Sequence, residues 1–164
     1  MPTAIFDLDG VLYPAWKDWN DGVFSVQAEY ERLQRPDVAP LAQGEALFKL
    51  YQQAGWTMYI VTARTEQFRY PTLYWLYRYF DIAADTLHMR SESMGAREQL
   101  WEKHGVSFGA MHAIDKISII NDLYNMPSFQ SVADSVIFID DKVENTEMVG
   151  AAFSNMATAL VKFD

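Results

Sequence analysis

Two carboxylates two residues apart follow a short apolar run near the start of the sequence. The run ends at Phe6 and leads into Asp7 and Asp9, with Gly10 directly after them. Such a run predicts a buried parallel strand, and ligands of open α/β sheets bind at the carboxyl ends of the strands. Two acids held this close favour a proton on one of them, since ionising both places like charges together. The spacing suits acid–base work at a site, and the alternative is a strand that runs into an ordinary acidic turn.

Two later apolar runs also end in polar side chains. Residues 58–61 lead into Thr62-Ala63-Arg64, and residues 136–139 lead into Asp140-Asp141. Between them, Lys116 opens a stretch with apolar side chains at helical spacing. Each feature has an ordinary explanation when taken alone: a β-branched strand residue, a solvated helix lysine, or an acid pair at the start of a helix. Their occurrence together and in this order favours one shared site.

The ordered set DLDGV, VTAR, a lone lysine and IDD resembles the haloacid dehalogenase superfamily of phosphotransferases, over a span from Asp7 to Asp141. The resemblance implies that Asp7 is the nucleophile that attacks phosphorus and carries an aspartyl-phosphate. It implies that Asp9 protonates the leaving alcohol and then activates water. It also implies that Thr62 donates its hydroxyl to a phosphate oxygen, and that Lys116 neutralises the transferring group and holds the nucleophile.

A cation is needed where several acids meet a phosphate dianion. Mg²⁺ suits this place because it prefers hard oxygen ligands and near-octahedral geometry. By resemblance, its ligands are Asp7, the main-chain carbonyl of Asp9, and Asp140. Asp141 joins them directly or through water.

The substrate-binding residues implied by the resemblance surround the threonine and the lysine. They are Thr62, Ala63, Arg64 and Lys116. Arg64, two positions past the threonine, is expected to contact a phosphate or a sugar of the substrate. Its alternative is an ordinary ion pair with Glu66 or another nearby acid.

Within the superfamily, these motifs most resemble the phosphatase half of polynucleotide kinase/phosphatases, which remove 3′-phosphates from nucleic-acid ends or nucleotides. Two positions depart from that branch. Lys17 or Asp18 stands in the loop where an arginine is typical, and His112 stands where an aspartate is typical, one helical turn before Lys116. The implied function is a Mg²⁺-dependent phosphomonoesterase acting on a nucleotide or a nucleic-acid 3′-phosphate end. The alternatives are a phosphatase of small non-nucleotide phosphomonoesters and a non-catalytic domain that binds a phosphorylated partner.

Strands and helices alternate along the sequence, which predicts one α/β domain over residues 1–164. We expect a Rossmann-like, doubly wound, mainly parallel sheet with helices on both faces and a minimal cap, including a short cap-like insertion at about residues 91–112. The Asp7 and Asp140 strands should be neighbours, with the Thr62 strand on the other side of the Asp7 strand. The other expected helices cover residues of about 22–35, 40–55, 96–103 and 144–152, and one more helix begins at about residue 71. The other expected strands cover 86–90 and 158–161.

Composition limits the possible partners. The 164 residues are 50% hydrophobic and include no cysteine, which excludes disulfides and thiolate metal sites. A net charge of −9 argues against a broad surface for duplex nucleic acid, but not against one phosphorylated end in a metal-charged pocket. No membrane-spanning run or signal peptide is recognisable, so a cytoplasmic location is expected. The aromatic helix from about Pro71 is expected to be core rather than a base-stacking platform.

Overall fold

Five short apolar segments form the strands of one parallel sheet in the computed structural model, which describes residues 2–14, 31, 35, 38–91, 105, 108–132 and 135–163. The strands are β1 (Thr3–Phe6), β2 (Thr57–Thr65), β3 (Leu87–Arg90), β4 (Val136–Asp140) and β5 (Met156–Leu160). The α-helices are α1 (Ala42–Gln53), α2 (Arg69–Tyr79), α3 (Phe108–Tyr124), α4 (Pro127–Val132) and α5 (Val143–Ala152). Short 3₁₀ turns over Glu66–Phe68 and Ala84–Thr86 precede α2 and β3.

The strand order is β3-β2-β1-β4-β5, so β1 lies in the middle of the sheet. Phe6 is in register with Ile60 of β2 on one side and with Ile139 of β4 on the other. The predicted neighbours of the Asp7 strand are therefore confirmed. Because every pairing is parallel, the carboxyl ends of all five strands lie along one edge of the sheet.

Two hydrophobic cores cover the two faces of the sheet. Alternate residues of β1 point in opposite directions, so Phe6 packs with Phe48 of α1 and Trp75 of α2. Ile5 packs on the other face with Ile120 of α3 and with Phe129. The doubly wound arrangement, with helices on both faces, is thus confirmed. No helix within the described ranges is both long and apolar enough to cross a membrane.

Some boundaries differ from those expected. The helix that carries Lys116 begins at Phe108, so Lys116 lies in its middle and does not open it. β2 extends to Thr65, so Thr62 and Arg64 are strand residues. The sequence also gave no prediction of α4. The helix expected over 96–103 lies outside the described residues, as do most of the helix over 22–35 and most of the cap-like insertion over 91–112.

Candidate functional site

Two buried acids lie side by side where the central strands end. Asp7 is the first residue after β1, and Asp140 is the last residue of β4. The backbone N–H of Asp7 donates to the carbonyl of Ile139 at 2.9 Å, which continues the ladder between the two strands to their ends. Rigid paired backbone therefore positions both carboxylates.

The ammonium of Lys116 lies between these two acids. Its Nζ is 2.9 Å from Asp7 Oδ1 and 2.5 Å from Asp140 Oδ2, and all three side chains are buried. Burial alone lowers the pKa of an amine, but the charges of Asp7 and Asp140 outweigh burial and raise the pKa of Lys116 above its ordinary value. The site therefore holds a permanent positive charge against the predicted nucleophile.

One lysine does not balance the acids gathered here. Burial, and then the nearby charge of Asp140, raises the pKa of Asp7 well above its ordinary value, although Lys116 acts in the opposite direction. Burial and the charge of Asp140 also raise the pKa of Asp141. Burial is the larger cause of both shifts and the neighbouring acid adds to it, so a bound proton or a cation would stabilise this group of carboxylates.

The donor set fits a divalent cation that prefers oxygen. Ligand oxygens of Asp7, Asp140 and Asp141 all lie within 4.8 Å of one another. Asp141 Oδ1 is buried and has no hydrogen-bond partner in the part of the chain that is described, as expected for an oxygen that a metal would engage. The three carboxylates match the hard oxygen ligands that Mg²⁺ selects. The carbonyl of Asp9 as a further ligand stays a prediction.

Asp140 is fixed by more than the lysine. Its Oδ1 accepts a hydrogen bond from the backbone N–H of Lys142 at 2.9 Å, and its Oδ2 accepts one from Asn145 Nδ2 at 3.0 Å. Asn145 is buried and was not singled out from the sequence. The sequence signal that could have identified Asn145 is its position in the first turn of the helix that follows Asp140 and Asp141.

Gly10 makes room for Asp141. Gly10 has a φ of +84°, which L side chains rarely adopt, and a Cβ built on it would lie 2.1 Å from Asp141 Oδ2. The carboxylate of Asp141 therefore rests against the bare backbone of the turn that follows β1. The glycine serves both the turn and the placement of a candidate metal ligand.

Asp9 faces a different cation from Asp7. Arg64 donates to it from Nε at 2.9 Å and from Nη2 at 2.6 Å, in a bidentate ion pair. The guanidinium carbon also lies 4.8 Å from the centre of the Tyr13 ring. The alternative named Glu66 or another nearby acid as the partner of Arg64; the structure shows a pair with Asp9, and Glu66 pairs with Arg69.

A bulge in β2 places the arginine. Against β3, Thr62 pairs with Met89 and Thr65 pairs with Arg90, so Ala63 and Arg64 have no counterparts in the ladder. Bulges of this kind redirect a side chain next to a site. The hydroxyl of Thr62 is buried and accepts the backbone N–H of Arg64 at 3.1 Å, which leaves its own proton to donate elsewhere.

A second ion pair was also missed. Arg90, at the end of β3, approaches Asp115, the residue before Lys116, with Nη1 3.6 Å from Oδ2. His112 occupies the position one turn before Lys116 where the branch that the motifs resemble tends to have an aspartate. An acid, Asp115, therefore lies directly before Lys116 in the sequence, and it pairs with Arg90 of β3. Nothing in the sequence alone connects Asp115 to that arginine.

Comparisons with known proteins give a fold. No family model matches the sequence, and no curated protein matches it. Among solved structures, a chain of the Pnkp1/Rnl/Hen1 RNA repair complex is 15% identical with a TM-score of 0.58, covering 98% of this chain and 42% of its own. A chain of a second Pnkp1/Rnl/Hen1 complex is 17% identical with a TM-score of 0.59, covering 98% of this chain and 45% of its own. The chain thus spans less than half the length of these neighbours and shares their fold.

Proposed function

We propose that this chain is a Mg²⁺-dependent phosphatase of the haloacid dehalogenase type that acts through an aspartyl-phosphate on Asp7. The observation that carries the proposal is the buried ammonium of Lys116, in contact with both Asp7 and Asp140 at the carboxyl edge of the sheet. A nucleophilic carboxylate, a fixed cation and a buried hydroxyl at the end of the adjacent strand are the parts that phosphoryl transfer needs.

The residues divide the chemistry between them. Asp7 attacks phosphorus, and Lys116 holds its carboxylate in place while offsetting negative charge on the transferring group. Thr62 donates its hydroxyl to an equatorial oxygen, and its acceptor role toward Arg64 supports this because it leaves the proton available. Asp9 delivers a proton to the leaving alcohol and later removes one from water.

Mg²⁺, held by Asp7, the Asp9 carbonyl, Asp140 and Asp141, would supply the positive charge that lets a phosphate dianion approach these acids. The orphaned oxygen of Asp141 and the raised pKa of Asp7 support a cation at this place.

The proposed substrate is a nucleotide or a nucleic-acid 3′-phosphate end. Two observations support this choice: the motif resemblance to polynucleotide 3′-phosphatases, and the shared fold with chains of an RNA repair complex. The net charge of −9 supports entry of one phosphorylated end rather than contact along a duplex.

A panel of phosphomonoesters tests the proposal. Purified protein is assayed for phosphate release from 3′- and 5′-nucleotides, 3′-phosphorylated oligonucleotides and an aryl phosphate, with Mg²⁺ or with a chelator. We expect turnover with Mg²⁺, its loss on chelation and its return on Mg²⁺ addition. The Asp7→Asn variant should be inactive, whereas Asp122→Asn, an exposed acid on α3, should keep full activity. Full activity after rigorous metal removal would contradict the assignment.

One observation favours a second candidate, a non-catalytic domain that binds a phosphorylated partner. Both oxygens of Asp9, the proposed acid, are already engaged by Arg64. This candidate expects Mg²⁺-dependent binding of phosphorylated ligands with no turnover of any ester in the panel, so the same assay separates the two.

A further inference from the structure

One face of α2 exposes three tyrosines. Tyr70, Tyr74 and Tyr77 are 80%, 51% and 52% exposed. They are the only large aromatic side chains exposed in the described part of the chain. The opposite face of the helix is core, with Trp75 and Leu76 fully buried. The aromatic helix is therefore core on one side, as expected, but not on the other.

The three rings form a row. Positions i, i+4 and i+7 share one face of an α-helix, and a rise of about 1.5 Å per residue separates their Cα positions by about 6 Å and about 4.5 Å along the axis. α2 follows the carboxyl end of β2 after a single 3₁₀ turn, so Tyr70 is at the end of the row nearest the sheet edge that carries Thr62. The row therefore leads away from the candidate site.

The charge of α2 contrasts with the rest of the chain. In a chain of net charge −9, this helix has no acidic residue and contains Arg69 and Arg78. Arg69 is neutralised by Glu66. Arg78 contacts no carboxylate among the described residues, and its guanidinium carbon lies 4.8 Å from the centre of the Tyr74 ring. A positive charge thus lies within the row of rings.

We propose that this tyrosine face binds the single-stranded segment adjoining a phosphorylated nucleic-acid end, while the end itself enters the Asp7 site. The entry of the phosphorylated end into the Asp7 site rests on the proposed function. Bases stack on tyrosine rings whatever their sequence, and arginine adds both stacking and attraction to phosphate. α2 contains no acid in a chain of net charge −9, so a polyanion meets less repulsion along this helix than over the chain as a whole. A single strand fits better than a duplex, because its bases are free to stack.

A binding experiment tests the face without any chemistry. Fluorescein-labelled oligothymidylate and oligouridylate of about eight nucleotides with 3′-hydroxyl ends are titrated with protein in chelator, and fluorescence anisotropy is measured. Tyr70→Ala, Tyr74→Ala and Tyr77→Ala should each raise Kd on the order of 10-fold, while the matched Tyr→Phe variants stay within about 2-fold of wild type. Leu50→Ala, at a residue 63% exposed on α1, should change nothing. Stronger binding of one oligonucleotide identifies DNA or RNA as the strand.

Salt dependence tests the arginine. The slope of log Kd against log salt should be about 0.7 smaller in Arg78→Gln than in wild type, as expected for one lost phosphate contact on a single strand. An unchanged slope would remove Arg78 from the interface.

Turnover separates failure of this inference from failure of the proposed function. With Mg²⁺, the Tyr→Ala variants should lower kcat/KM for a 3′-phosphorylated octanucleotide but not for thymidine 3′-phosphate. If the Tyr→Ala variants change kcat/KM equally for both substrates, or change it for neither, the inference is overturned. Turnover in the same assay would still support the phosphatase. If no ester is turned over but Kd for the oligonucleotide still depends on the tyrosines, the phosphatase proposal is overturned and the binding role of the tyrosine face is supported. Dissociation of an oligomer by Tyr→Ala, without any change in Kd, would show that a second copy covers the face and would overturn the inference.

Discussion

Arg64 donates two hydrogen bonds to Asp9, one to each carboxylate oxygen, at 2.9 and 2.6 Å. Asp7 is held by a different cation, Lys116. The two leading acids therefore differ in their surroundings although they are two residues apart. One is buried in contact with an ammonium, and the other is partly exposed and oriented by a planar guanidinium. The two carboxylates thus differ in electrostatic surroundings, while their roles as nucleophile and acid–base residue are proposed from the motif resemblance.

The leaving group should reveal that division. We expect Asp9→Asn to slow formation of the phospho-enzyme about 10²–10⁴-fold with a ribose phosphate, because the alcohol must be protonated as it leaves. With an aryl phosphate the deficit should shrink, since a good leaving group hardly needs a proton. Rapid-quench trapping of phosphate measures this step without the later hydrolysis. Phosphate trapped on Asp9 instead of Asp7, or a competent Asp7→Asn enzyme, would reverse the assignment.

Removing the buried ammonium should destabilise the fold. In Lys116→Met, two buried carboxylates lose their cation, and breaking a buried pair in this way costs roughly 3–5 kcal/mol. Urea unfolding in chelator measures the loss. The matched control is Lys49→Met, which breaks a 2.7 Å pair with Glu45 on the surface of α1 and should cost at most about 1 kcal/mol. A Lys116→Met protein as stable as this control would show that the lysine does not compensate the acids.

Stability should depend on pH through Asp7. Burial and the charge of Asp140 raise the pKa of Asp7 well above its ordinary value of 3.8. The folded state then binds this proton more tightly, so its contribution is fully present below about pH 3.8 and is lost as pH rises through the raised value. In chelator, the free energy of unfolding of wild type relative to Asp7→Asn should therefore fall as pH rises from about 4.

Urea unfolding of both proteins over a pH series measures that difference, and added Mg²⁺ should oppose the loss. Glu66→Gln is a control of opposite sign. The hydrogen bond from Arg69 lowers the pKa of Glu66, so its contribution is lost as pH falls. A wild-type advantage over Asp7→Asn that grows with pH in chelator would contradict the raised pKa.

Two glycines separate backbone strain from the placement of Asp141. Gly10 and Gly55 have φ values of +84° and +85°, but a Cβ meets Asp141 at Gly10 and nothing within 4 Å at Gly55. Alanine at either position should cost about 1–2 kcal/mol of stability from the backbone alone. Only Gly10→Ala should also weaken Mg²⁺ binding, because it displaces a carboxylate ligand. Calorimetric titration with Mg²⁺ checks this, and equal affinities in the two variants would exclude Asp141 as a ligand.

The sequence was sufficient to predict the sheet and the meeting of the acids. Asp7 and Asp140 each terminate an unbroken apolar run, and parallel strands bring such ends to one edge. The neighbours of the central strand followed from the same reasoning. The apolar runs in the sequence predict the strands, and the geometry of parallel sheets predicts which strand ends meet.

Other features depend on contacts between distant parts of the chain. The Asp9–Arg64 pair joins residues 55 apart and depends on a bulge that no periodicity marks. The start of α3 was missed because the apolar periodicity was followed only from Lys116 onwards, although Ser107, a residue type common at helix starts, precedes Phe108 in the sequence. The exposed row on α2 was not resolved from its buried side, since tyrosines and apolar residues surround the helix almost evenly.

The central place of β1 also determines when the site can exist during synthesis. Phe6 must pair with Ile139, so the Asp7 strand has no neighbour on that side until β4 has left the ribosome. Until then Lys116 lacks its contact with Asp140, and Asp7 lacks the charge of that acid beside it. Pairings between segments so far apart in sequence close large loops and form late in folding. The nascent chain therefore has an unsheltered central strand until residues 136–140 emerge, and the sheet edge that carries the candidate site can form only after that.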